Sequence, residues 1–209
     1  MRLIVTLVVF CLSGALAARA QTGPLLPYKS AHWKQSVTFK GATPDKTRKV
    51  AAEIWYLGPD RMRVVFPSEG KMQVILIKSG TALTYEEGSN AGIKMPLQQQ
   101  LLDMLAQITE IFTKVDSWKK SKVATETVGD KKCDVYVSTE TAGGQTVNGK
   151  LWLWPEKNFP IRMVAESQGQ SMEVEHSDID VNGEIPAAIF DPPPKMKFIE
   201  APPARGAAK

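Results

Sequence analysis

Cysteine and histidine are scarce in this chain of 209 residues, which holds two of each. Cys11 falls in an N-terminal stretch where Arg2 precedes an apolar run from Leu3 to Leu12 and then small residues, the layout of a secretory signal peptide. Small-x-small sites end at Ala17 and Ala20. Cleavage after Ala20 is expected, making residues 1–20 the leader and Gln21 the first mature residue. Cys133 is then the one mature thiol, which excludes an internal disulfide and reads as a small buried hydrophobe on a strand. Cys11 follows Val9 and Phe10, so the small residue that a bacterial lipobox needs directly before its cysteine is missing. Long hydrophobic runs are absent too. The leader's run is too short for a bilayer span of about 20 residues and no later stretch reaches that length, so no transmembrane segment is expected in the mature chain.

A strong charge imbalance is also lacking. Lys plus Arg number 26 against 22 Asp plus Glu, and losing Arg2 and Arg19 with the leader leaves a mature net of +2. That balance argues against nucleic acid as a partner. The mature length suits one domain with one core.

Catalytic signatures are missing as well. There is no nucleophile elbow, no phosphate-cradling glycine loop and no paired-cysteine site, and His32 and His176 lie far apart without ligand spacing. No enzyme, metal or cofactor is therefore expected. His176 stands among Glu173, Glu175, Asp178 and Asp180, a stretch that reads as a solvated strand edge whose charges discourage edge-to-edge pairing. A calcium or zinc site, or an acid–base pair of Asp178 and Asp180, is the other reading of those carboxylates.

What the chain does contain is alternation. His32 to Phe39, Val50 to Leu57, Arg61 to Phe66 and Met72 to Ile77 read as strands, separated by turn signals at Gly58-Pro59-Asp60, Pro67 to Gly70 and Ser79-Gly80. Such short connections favour antiparallel neighbours, so this half reads as a meander. From Pro96 to Val115 the period changes: Leu97, Leu101, Met104, Leu105, Ile108, Ile111, Phe112 and Val115 form one stripe at helical pitch, with Pro96 suited to the first helical position. Strands then return over Val123–Val128, Lys132–Val137, Val147–Trp154, Pro160–Ser167 and Met172–Val181. In the segment GKLWLWPEKNFPIRMVAES, Leu151 and Leu153 point to one face and Trp152 and Trp154 to the other, so both faces of that strand need a cover.

Four stretches in order resemble the bacterial periplasmic lipoprotein carrier and receptor superfamily, the outer-membrane lipoprotein-sorting proteins. They are Leu57 to Val64, with a proline-containing turn before an Arg-rich strand; Lys78 to Tyr85; the hairpin Gly149 to Val164; and Ile185-Pro186 followed by Ile189-Phe190 and a proline-rich turn. The resemblance implies a mainly β (α+β) fold: a curved, antiparallel, unclosed half-barrel, its concave face covered by a central amphipathic helix, with acyl chains held between them. It spans residues 21–200 as a single domain, followed by a flexible tail over 201–209. Well-studied carriers hold their helical lid with an arginine on an early strand, a region matched here by Arg61 or Arg63. The receptor branch is itself a lipoprotein, and this chain departs from it in lacking the lipobox.

On that fold the inward alternates Met62, Val64 and Phe66, with Met72, Val74 and Leu76, are expected to face Leu101, Leu105, Ile108 and Phe112. Their ligand would be the acyl chains of lipids or lipoproteins, in the periplasm. A sensor or protein-interaction domain on the same scaffold, recognising an envelope partner, is the second reading.

Overall fold

The computed structural model describes residues 26–41, 47–96, 111–112, 115–142 and 145–201. Residues 1–25 (the expected leader among them), most of the expected helix and the residues beyond Ala201 lie outside the described residues. The first half is a meander of β1 (Ser30–Lys40), β2 (Arg48–Leu57), β3 (Arg61–Ser68), β4 (Lys71–Lys78), β5 (Thr81–Glu86) and β6 (Ala91–Pro96). Ile111 and Phe112 are helical, and α1 (Val115–Trp118) continues into a 3-10 turn at Lys119–Ser121. A second meander follows: β7 (Lys122–Val128), β8 (Lys131–Ala142), β9 (Gln145–Trp154), β10 (Phe159–Ser167) and β11 (Gln170–Val181). A 3-10 turn at Ala187–Phe190 leads to β12 (Lys197–Glu200).

The two meanders join where β1 pairs antiparallel with β11. The result is one 12-stranded sheet in the order β12-β6-β5-β4-β3-β2-β1-β11-β10-β9-β8-β7, with β12 and β7 left as its edges. The sheet does not close, and with the helix it makes an unclosed half-barrel. Three tight hairpins are built alike. Glu69-Gly70, Ser79-Gly80 and Gln168-Gly169 all have positive φ at both positions, the two-residue turn whose twist matches that of the strands it joins.

Three expectations change. Pro96 ends a strand and does not begin the helix, because Ala91–Pro96 adds to β5 with Thr81 opposite Pro96. The proline-rich tail supplies β12, which runs parallel to β6, so the sheet is not wholly antiparallel. His176 is not on an edge either: β11 lies between β1 and β10, and the side chain is buried. The carboxylates around it are paired outward, Glu173 with Arg162 and Asp178 with Lys34.

Candidate functional site

The sheet face that carries the helix, here the inner face, can be read from strand register, because directly paired residues share a face. One cross-strand row runs Trp33, Ile54, Val64, Ile75, Thr84 and Ile93 over β1 to β6. A second runs Ala31, Tyr56, Met62, Ile77, Ala82 and Met95. Both rows are apolar apart from the hydroxyls of Tyr56 and Thr84. Along the first row burial relaxes from one end to the other: Trp33 is 0% exposed and Ile93 is 47% exposed.

Phe112 closes the buried end. Its ring lies 5.6 Å from His176 with the planes 18° apart, 5.5 Å from Trp33, 5.1 Å from Phe159 and 6.1 Å from Tyr28. Farther along, Ile111, Val115 and Trp118 meet Tyr136, Leu151, Leu153 and Met163, so the inner face of β8 to β10 is covered by the same helical segment. Gly149 makes this docking close, since a Cβ there would overlap both the Trp118 ring and the Ser138 hydroxyl.

His176 is the one buried titratable group in the aromatic cluster with a large downward shift. Burial lowers its pKa to about 4, only partly countered by the Pro160 carbonyl, so the ring is neutral near pH 7. Nδ1 donates to that carbonyl at 2.7 Å. Nε2 lies 3.2 Å from Gln35 Oε1, the second polar partner of the ring. Tyr28 donates its hydroxyl to the Asn158 carbonyl at 2.7 Å, and burial raises its pKa.

Of the residues expected at the site, Met62, Val64, Phe66 and Phe112 belong to or pack against one continuous apolar cluster with Trp33 and Ile54. Met72, Val74 and Leu76 do not share their face. The Glu69-Gly70 turn sets Ser68 opposite Lys71, so Val65 faces Val74, Arg63 faces Leu76 and Pro67 faces Met72. The inner positions of β4 are Gln73, Ile75 and Ile77. Val74 and Leu76 instead join Val65, Tyr85, Trp55 and Phe198 in an outer cluster closed by the C-terminal segment. Leu101, Leu105 and Ile108 lie outside the described residues.

The lid-holding arginine is corrected in the same way. Arg61 and Arg63 alternate with Met62 and therefore face outward. Arg63 Nη1 donates to the Tyr85 hydroxyl at 3.2 Å and reaches the Ile189 carbonyl at 3.5 Å, with its guanidinium over Trp55. It fastens the C-terminal 3-10 turn to the sheet. Sequence reasoning passed over Trp33, Tyr28 and Phe159 and set His176 on a solvated strand edge. The signal for Trp33 was present in the alternation Ala31, Trp33, Gln35, but the convergence with Phe159 and His176 comes from the β1–β11 pairing across more than a hundred residues.

Both faces of β9 are covered, as its sequence requires. Leu151 and Leu153 face the helix. Trp152 lies outside beneath Lys150 at 4.3 Å and Arg162 at 4.8 Å, and donates Nε1–H to Glu126 at 2.7 Å. Among the described residues no group of three metal-ligating side chains assembles, and no helix is long and apolar enough to cross a membrane.

No family model matches the chain, and no curated protein matches its sequence. Solved structures do match. A LolA superfamily protein from Nitrosomonas europaea is 14% identical, with 79% of this chain and 91% of that chain covered at a TM-score of 0.43. Lipoprotein LppX from Mycobacterium tuberculosis is 10% identical over 77% and 90% at a TM-score of 0.48. LprF from Mycobacterium bovis is 12% identical over 77% and 88%, also at 0.48. The solved structures to which this chain is similar thus include LolA superfamily and mycobacterial lipoprotein folds.

Proposed function

We propose that this protein is a periplasmic binding or carrier protein for lipids or acylated lipoproteins, exported with residues 1–20 as a cleaved leader. Acyl chains lie in the groove between the inner face and the helix, against Met62, Val64, Phe66, Ile75 and Phe112, with Leu101, Leu105 and Ile108 contributed from the helix. The observation that carries this reading is the inner-face row from Trp33 to Ile93, which is apolar but for Thr84 and left progressively open toward β6. Each methylene moved out of water contributes about 0.8 kcal/mol, so a 16-carbon chain gains on the order of 10 kcal/mol before ordering and association costs. The reading requires no catalytic group.

Phe66→Asp and Leu105→Asp each place a charge in the groove. Both variants are expected to lose binding of a fluorescent fatty-acyl probe while keeping the far-ultraviolet circular dichroism of a β-sheet protein. Undiminished binding in both folded variants would remove the groove from the account.

A further inference from the structure

We propose that Trp33 is a specificity-determining residue: its indole N–H donates a hydrogen bond to a neutral carbonyl oxygen of the bound acyl ligand, so that the groove selects fatty-acyl esters over plain hydrocarbon. This rests on the acyl-binding reading and adds the chemistry of the group recognised.

Among the described residues three buried polar atoms lack a partner, Trp33 Nε1, Ser36 Oγ and the Tyr56 hydroxyl, and the indole N–H is the one of them that can only donate. Trp33 is fully enclosed, and its Nε1 has no acceptor among the described residues. The Tyr28 hydroxyl is satisfied by Asn158, and both ring nitrogens of His176 are satisfied by Pro160 and Gln35. Elsewhere in the same chain, the other largely buried indole, Trp152, is given the Glu126 carboxylate. Buried indoles ordinarily find a partner, because an unpaired donor in an apolar environment is destabilising. A phenylalanine would fill the same core without that cost.

Position supplies the rest. Trp33 begins the cross-strand row that ends at the half-exposed Ile93. Six strands at their usual spacing make that row about 24 Å long, a track for a long acyl chain entering from the β6 side. Beside Trp33 the one described helical residue is Phe112, with its ring 5.5 Å away, so a ligand that reaches the indole moves that ring aside and lies against it. An N–H can only donate, which requires an acceptor on the ligand. The ring partners of Trp33 are Phe112, Phe159 and His176, and none brings a positive charge near pH 7. Without a cation to offset desolvation, a neutral ester carbonyl is favoured over a carboxylate.

The test is competition of methyl palmitate and of heptadecane against a dansyl-labelled fatty-acyl probe, in the wild-type chain and in Trp33→Phe. The wild type is expected to prefer the ester about tenfold, and the variant to bind both about equally. A packing defect weakens both competitors together and leaves their ratio unchanged. Should Trp33→Phe fail to fold, benzothienylalanine at position 33 keeps the ring shape and removes only the N–H; it is expected to erase the ester preference and to be at least as heat-stable as the wild type without ligand. An equal ester preference in wild type and variant overturns the role of Trp33 and leaves acyl binding standing. No binding of the probe by the wild type overturns both.

Discussion

Phe112 lies nearly parallel to His176, with ring centroids 5.6 Å apart and planes 18° apart. A residue of the helix is thereby stacked on a neutral imidazole in the middle of the sheet.

Acid should therefore weaken the fold through His176. Its folded pKa of about 4 lies below the ordinary 6.5, so between those values the unfolded chain binds the proton and the folded chain resists it. The stabilisation is fully present above about pH 6.5 and is lost as pH falls toward 4, a total of about 3 kcal/mol. Urea unfolding midpoints from pH 4.5 to 8 are expected to fall across that window in the wild type and to flatten in His176→Gln. An equally steep fall in the variant would assign the effect to other groups.

The docking of the helix end can be tested at Gly149, which leaves room for the Trp118 ring. Gly149→Val is expected to cost about 1–3 kcal/mol through overpacking. Adding Trp118→Ala should recover part of that loss, because the clash then has no partner. Strictly additive losses in the double variant, measured by urea unfolding, would separate the two residues.

Neighbouring residues of β4 should behave oppositely. Leu76 is buried in the outer cluster, so Leu76→Ala is expected to lower stability by about 2–5 kcal/mol while leaving acyl-probe affinity intact under native conditions. Ile75 is half-buried on the inner face, so Ile75→Ser should weaken probe binding several-fold at a smaller cost in stability. The reverse pattern would mean that the groove lies on the other face.

The strands, the order of their turns and the two-sided character of β9 were legible in the sequence because each follows from local alternation and turn chemistry. Face assignment across strands was not. Met72, Val74 and Leu76 alternate as cleanly as Met62, Val64 and Phe66, but the two-residue Glu69-Gly70 turn pairs even positions of β3 with odd positions of β4. Arg63 was drawn to the helix by resemblance, whereas register turns it toward Tyr85. The short β6 and β12 gave little signal alone, since Ala91–Pro96 and Lys197–Glu200 are stabilised by each other and by β5. The aromatic cluster was invisible for the same reason: Trp33, Phe112, Phe159 and His176 meet only when the two meanders join.

The central claim, that acyl chains occupy the inner face, is tested most directly by mass spectrometry of organic extracts from the mature protein purified from periplasm without detergent. Near-stoichiometric acyl lipid in the wild type, and its loss in folded Phe66→Asp, is the expected result. A wild-type protein free of lipid that also takes up none from added acyl esters would contradict the account.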